Sequence, residues 1–280
     1  MTAQHAVVVT GTSTGIGAAA ALTLAQMGAI VFAGVRNDAD AERLTNEHAN
    51  LRPVRLDVTD SVSIAEAAQT VRAAGVRIVG LVNNAGIVVA GPLEHVLESE
   101  LRMQLEVNVL GQIAVTQAFL PQLRQDRGRI VFVGSISGRV AMPFLGPYSA
   151  SKFALRALVD ALRFELEPDG IAVALIEPGS VKTPIWRKGR EGYQGRWKTL
   201  PPRYQGAMQA MLDQSAHEER TGISTDLVVR SIVDALFASK PRTHYLVGAS
   251  ARIGGAILPL LPARLRDTIF RRVMRLGGGK

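Results

Sequence analysis

Short β-branched runs alternate with longer Ala- and Leu-rich segments through most of this chain, and no other feature limits the fold as strongly. Val7-Val8-Val9, Ile30-Val31-Phe32, Val54-Arg55-Leu56, Val79–Val82, Ile130–Val133 and Ala172–Ile176 read as strands, with Tyr245-Leu246-Val247 as a seventh. Between them, Ala18–Met27, Ala39–Glu47, Ser61–Ala74, Glu98–Arg124 and Ser149–Glu167 carry helix-forming composition. The strand runs are continuously apolar, as parallel strands buried on both faces must be. The order predicts an α/β fold: a doubly wound parallel sheet of about seven strands with helices on both faces. A chain of 280 residues can bury roughly 75% of its unfolded surface in one core. Residues 1–250 are therefore expected to form one domain, followed by a C-terminal extension over 251–280.

The chain has no cysteine, which excludes disulfides, thiolate metal sites and cysteine nucleophiles. Five scattered histidines, with no H-x-x-x-H pair, give no reason to expect a bound metal. The first residues lack the pattern of a signal peptide. No apolar stretch reaches the roughly 20 residues a spanning helix needs, so a cytoplasmic protein is expected. The net charge of +8 is concentrated in two places. Arg187, Lys188, Arg190, Arg196, Lys198 and Arg203 against Glu191 give one segment +5. Arg264, Arg266, Arg271, Arg272, Arg275 and Lys280 against Asp267 give another +5. The remainder is near neutral, which argues against a nucleic-acid partner, whose basic stripe would cross the fold itself.

Thr10-Gly11-Thr12-Ser13-Thr14-Gly15-Ile16-Gly17 joins the first strand to the first helix. Glycines at such a turn let the backbone approach a pyrophosphate, and the helix N-terminus offers free N–H groups and a positive dipole end. The spacing is G-x-x-x-G-x-G, and here the chain resembles the short-chain dehydrogenase/reductase family, whose T-G-x-x-x-G-I-G motif it carries unchanged. The likeness continues in order: Asp57-Val58 after the third strand, Asn83-Asn84-Ala85-Gly86 after the fourth, Asn108 on the next helix, Ser135 after the fifth strand. Tyr148-Ser149-Ala150-Ser151-Lys152 matches the family's Y-x-x-x-K, with Ser135 13 residues before the tyrosine. Pro178-Gly179, Val181 and Thr183 follow the sixth strand. The resemblance spans roughly residues 5–184 and 224–248, and implies a Rossmann-like fold binding a nicotinamide dinucleotide.

Cofactor choice is read at the end of the second strand, where an acid favours NAD and an arginine accommodates the 2′-phosphate of NADP. The family's acidic position falls at Val35, followed by Arg36, with no acid until Asp38. NADP(H) is expected, with NAD(H) as the second choice. The glycine loop itself carries no basic residue, unlike some NADP-binding members. The resemblance places Gly11, Ser13, Gly15, Ile16, Gly17, Arg36, Asp57, Val58, Asn84, Ala85, Gly86, Pro178, Gly179, Val181 and Thr183 at the nucleotide, together with Tyr148 and Lys152.

Tyr148 and Lys152 are spaced i, i+4 at a helix start and so share one face. A tyrosine with a pKa of about 10 is a weak acid-base group at neutral pH, and a nearby ammonium is expected to lower it. By resemblance, Tyr148 passes the proton to or from the substrate oxygen, Ser135 hydrogen-bonds that oxygen, Lys152 holds the nicotinamide ribose, and Asn108 holds a water in a proton relay. Ser137 reads equally as a substrate contact or a turn cap.

Residues 184–222 occupy the place of the family's substrate lid. Trp186, Trp197, Tyr193, Tyr204, Met208 and Met211 are expected to line a large apolar pocket, as in members acting on steroids, retinoids or ketoacyl chains. After a glycine-broken apolar stretch, Ala263–Leu276 reads as a basic amphipathic helix with Leu265, Ile269, Val273 and Leu276 on one face. Residues 253–276 thus suit either peripheral membrane contact or packing on the body or a second subunit. The helices Glu98–Arg124 and Ser149–Glu167 are apolar on more than one face, which by resemblance implies a homodimer or homotetramer. The expected function is NADP(H)-dependent interconversion of a lipophilic ketone or aldehyde and its alcohol. The alternatives are a nucleotide-sensing regulatory protein without turnover and a membrane-surface adaptor.

Overall fold

The computed structural model describes residues 5–192 and 196–273. Seven strands, β1 (His5–Val9), β2 (Ile30–Val35), β3 (Leu51–Arg55), β4 (Arg77–Asn83), β5 (Arg129–Val133), β6 (Val173–Pro178) and β7 (His244–Val247), form one sheet in the order β3-β2-β1-β4-β5-β6-β7. Every pairing is parallel. The strands run longer than the apolar runs suggest, because pairing extends β2 to Val35 and β6 to Pro178. Pro53 sits in β3, at the edge of the sheet, where a missing N–H leaves no central ladder bond unmade.

The helices are α1 (Gly15–Gln26), α2 (Asp38–Glu47), α3 (Ser61–Ala73), α4 (Glu98–Leu105), α5 (Gly111–Asp126), α6 (Gly146–Leu166), α7 (Ile185–Gly192), α8 (Pro202–Thr221), α9 (Thr225–Phe237), α10 (Ala249–Ile257) and α11 (Ala263–Val273). Side chains alternate along β1, so Val7 and Val9 join one core with α1 and α9, while Ala6 and Val8 join another with α3, α5 and α6. Two apolar layers thus cover the sheet, and their burial is the main stabilising term.

The helix expected over Glu98–Arg124 is interrupted. A π-turn, Glu106–Leu110, joins α4 to α5. Gly111 follows it, where a Cβ would lie 2.4 Å from the carbonyl oxygen of Val58. The glycine lets the helix approach the end of β3, and the turn re-aims Asn108. Residues 184–222 fold as α7 and α8. Of the expected lid residues, Tyr193 and the side chain of Trp197 lie outside the described residues. The C-terminal stretch begins as helix α10 despite Gly254 and Gly255; a Cβ at Gly255 would lie 3.1 Å from Leu246, so the glycine permits close packing on β7. α11 matches the expected basic helix as far as Val273, whose side chain, with Arg275, Leu276 and Lys280, lies outside the described residues. Among the described residues no helix is long and apolar enough to cross a membrane.

Candidate active site

The site opens along the carboxyl ends of the strands, where β1 and β4 lie side by side and their following connections diverge. A cleft there is lined by Gly11, Ser13, Gly15, Ile16, Arg36, Asp57, Val58, Asn84, Ala85, Gly86, Ser135, Tyr148, Lys152, Pro178, Gly179, Val181 and Thr183. Of the residues expected at the nucleotide, Gly17 alone stands behind the wall. A Cβ at Gly17 would lie 2.2 Å from the Gly11 carbonyl oxygen and 2.4 Å from Asn84 Nδ2. Its task is to let α1 press onto the loop. Gly11 and Gly15 both adopt positive φ, at 67° and 65°, which side chains tolerate poorly.

The loop ends in an uncapped helix. Asn37, Asp60 and Ser224 each accept a first-turn N–H at the starts of α2, α3 and α9, whereas Thr14 makes no such bond at α1. The first N–H groups of α1 are left to face the cleft, as a phosphate requires. Asn84 is wholly engaged in holding this loop: its Nδ2 donates to the carbonyls of Thr10 and Gly11 at 3.0 and 3.1 Å, and its N–H to Thr10 Oγ1 at 2.9 Å.

Basic groups gather around the outer half of the cleft. Arg36 lines it, and Asp57 sits opposite. Burial raises the Asp57 pKa, but two hydrogen bonds from Thr59 and the Arg36 charge hold the carboxyl below its usual value. Two further cations were not apparent from the sequence. Arg43 Nη2 donates to the Ser13 carbonyl at 3.0 Å, and Lys188 Nζ reaches across from α7 to Thr14 Oγ1 at 3.3 Å. Arg43 is itself paired with Glu47 at 3.0 Å and Asp40 at 3.8 Å, so Lys188, which lines the cleft, is the cation that a neighbouring helix adds to it.

At the inner end, Tyr148 and Lys152 project from the first turns of α6, and both are buried. The Tyr148 hydroxyl is hydrogen-bonded to Ser135. Lys152 Nζ donates to the Val133 carbonyl at 2.8 Å and lies 5.8 Å from the tyrosine ring centroid. Burial pushes the Tyr148 pKa up, against the Ser135 hydrogen bond. This corrects the expected lowering: removing the phenolate from water is the larger effect, and the Ser135 hydrogen bond, the opposing one, only partly offsets it. The same burial lowers Lys152 to about 8, which leaves it charged at neutral pH. Ser135 Oγ also accepts the Ser137 N–H at 3.1 Å. Ser137 lies in the short 3-10 turn Ile136–Gly138 that Ser135 caps.

Asn108 is buried behind the cleft wall. Its Oδ1 accepts the Ile87 N–H at 2.8 Å, and its Nδ2 donates to the Ile87 carbonyl at 3.0 Å and to Ser151 Oγ at 3.1 Å. The side chain thus joins the π-turn to the connection after β4 and to α6.

Above Tyr148 the lid closes with apolar side chains. Met208 and Met211 are buried with Val88, Leu145 and Tyr148, and Trp186 and Tyr204 pack against them. The Trp186 ring meets the Tyr148 ring edge-on at 6.3 Å. Only about 10 Å³ is free among Val88, Leu145, Trp186, Met208 and Met211, so this part of the lid packs on itself, while the main cleft, of about 330 Å³, reaches Tyr148, Ile185 and Trp186.

A family model described as short chain dehydrogenase matches residues 5–194. The chain belongs to that family, and hence to the oxidoreductases. This short chain dehydrogenase is 35% identical over 96% of its length, and 96% of the relative's, to an NADPH-dependent 3-dehydrocapnine reductase from Ornithobacterium rhinotracheale. It is 37% identical to human retinol dehydrogenase 16, covering 94% of this chain and 87% of that one. Among solved structures, a Burkholderia cenocepacia short chain dehydrogenase in complex with NADP matches with a TM-score of 0.73 and 27% identity over 99% of this chain and 98% of that one.

Proposed function

We propose that this dehydrogenase uses NADP(H) to interconvert a lipophilic ketone or aldehyde and its alcohol. The observation that carries the reading is the buried Tyr148, Ser135 and Lys152 set at the inner end of a dinucleotide cleft, roofed by an apolar lid. The cleft fits the cofactor on its own features: positive-φ glycines, an uncapped α1 and a cationic outer corner. Gly11, Ser13, Gly15 and Ile16 would hold the pyrophosphate. Arg36, with Arg43 and Lys188 nearby, would meet the 2′-phosphate by charge-assisted hydrogen bonds. Asp57 and Val58 would flank the adenine; Asn84, Ala85, Gly86, Pro178, Gly179, Val181 and Thr183 would line the rest, with Lys152 at the ribose. NADPH supplies a hydride to the carbonyl carbon when bound there.

The protein's own part is position and the proton. Ser135 holds the carbonyl oxygen, and Tyr148, kept protonated by burial, donates the proton to it. Lys152 stabilises the resulting phenolate with its charge. Asn108 positions Ile87 and Ser151 at the rear of this set. The NADPH-named and retinol-named relatives support the cofactor and the lipophilic class. Exposed Met103 on α4, Leu110 at the end of the π-turn and Leu158 and Phe164 on α6 support pairing of two or more copies of the chain.

The test is NADPH and NADH oxidation by the purified protein over retinoid, steroid, quinone and ketoacyl carbonyls, beside Tyr148→Phe. Turnover preferring NADPH and abolished in the variant is the expected result. Tight nucleotide binding with no turnover on any carbonyl would favour the sensor reading, and preference for NADH would overturn the role of Arg36.

A further inference from the structure

The segment from α10 to α11 follows the last strand, and the two faces of α10 differ. The inner face of α10 buries Ala251 and Gly255 against β7 and the turn after Ser135. The outer face shows four large aliphatic side chains: Ile253 is 63% exposed, Ile257 50%, Leu260 82% and Leu265 49%. Single exposed apolar residues need no explanation, but Ile253 and Ile257, one turn apart on α10, followed by Leu260 and Leu265, make an apolar patch.

Beside this patch, an open groove of about 750 Å³ runs between α11, α6 and the segment after Gly138. Its walls combine aromatic rings, Phe153 and Phe270, with the guanidinium groups of Arg156, Arg266 and Arg271. Arg139 also borders it but is already paired with Glu177 at 2.7 and 2.6 Å. Arg266 and Arg271 have no carboxylate partner among the described residues. Arg156 comes only within 3.9 Å of Glu177, and its Nε is buried without a hydrogen bond. Asp267 also lines the groove, but the four arginines outnumber it, and Arg266 and Arg271 are the two that no carboxylate among the described residues pairs with.

We propose that this segment docks the protein on an anionic bilayer, with Ile253, Ile257, Leu260 and Leu265 entering the headgroup–acyl boundary and a lipid phosphate seated on Arg266 and Arg271. An apolar patch alone would suit a second protein copy, and an arginine groove alone a soluble phosphate. The bilayer surface is the partner that satisfies both, since it offers hydrocarbon and fixed negative charge a few ångströms apart. The groove shares Met142 with the apolar cluster over Tyr148. The proposal concerns binding alone and does not rest on the reaction assigned above.

The experiment is co-sedimentation of the full chain with phosphatidylcholine vesicles, with and without phosphatidylglycerol. The variants are Ile257→Asp with Leu260→Asp, and Arg266→Ala with Arg271→Ala; all four positions are exposed or partly so, and circular dichroism checks folding. Binding should require phosphatidylglycerol, vanish in the aspartate variant, and fall roughly twentyfold in the arginine variant, at about fivefold per charge. Three results would overturn it: no sedimentation with either vesicle; sedimentation indifferent to the arginine pair; or inorganic phosphate protecting the groove from arginine-directed labelling while vesicles do not bind. A change of oligomeric state in the aspartate variant without vesicle binding would assign the patch to a second copy instead.

Discussion

Replacing Glu177 by alanine leaves two cations without their shared anion. The carboxylate is 1% exposed; it accepts two hydrogen bonds from Arg139, whose side chain is 17% exposed, and lies 2.9 Å from His244 Nδ1. Losing one partner of a buried pair costs roughly 3–5 kcal/mol, because the remaining charge is stranded. With an unfolding entropy near 2.1 cal/mol/K per residue and 280 residues, that loss lowers the Tm by about 5–8 °C. Glu177→Gln keeps the shape and half the acceptors and should lose about half as much. Joint replacement of Glu177 and Arg139 by leucine removes the charges together and should cost less than Glu177→Ala alone. The assay is a thermal melt read by circular dichroism, as a double-mutant cycle at neutral pH. Single losses under about 1 kcal/mol, or singles that add within about 0.5 kcal/mol, would refute the reasoning.

The same cluster sets a pH dependence. The carboxylates of Glu177 and Asp160, which flank the ring, raise the His244 pKa above 6.5 against the opposing effect of burial. Its stabilising contribution is full below pH 6.5 and disappears as pH rises through the raised value, so urea midpoints should fall on alkalinisation in wild type but not in His244→Gln. Lys152, lowered to about 8, should give carbonyl reduction an alkaline limb near that pH, measured as kcat/KM. Gly17→Ala places a Cβ 2.2 Å from the Gly11 carbonyl oxygen and should cost about 1–3 kcal/mol in urea denaturation. Gly206→Ala in α8, with nothing within 4 Å, should stabilise by about 0.4–1 kcal/mol. Arg36→Ala should raise the KM for NADPH about 10- to 100-fold and leave NADH unchanged, since a charged hydrogen bond contributes roughly 1.5–3 kcal/mol.

What could be read from the sequence was what is local. The sheet strands are continuous apolar runs, and the tyrosine, lysine and serine announce themselves by spacing. Contacts between distant segments were not legible. Nothing near Thr14 signals Lys188, which lies 174 positions away, nor does Arg43 look different from any exposed helical arginine. The π-turn at Glu106–Leu110 is composed of ordinary helix formers, and only the packing of Gly111 against Val58 explains it. The direction of the Tyr148 shift was misjudged for the same reason, since burial depends on the whole fold and the i+4 lysine is visible in one line of sequence. The lid's composition points to an apolar pocket, but the mutual contact of Trp186, Tyr204, Met208 and Met211 depends on how α7 and α8 pack and is not legible in composition.

The bond from Lys188 to Thr14 sets the order of traffic. α7 leans from the substrate side onto the phosphate loop, and Trp186, one turn before Gly189, covers Tyr148. A single helix therefore roofs both compartments. The larger molecule, lying deepest along the sheet, must enter while that roof is raised, and the smaller one must arrive after it. On the way out the sequence reverses, so steady-state kinetics should be ordered, with nucleotide first to bind and last to leave.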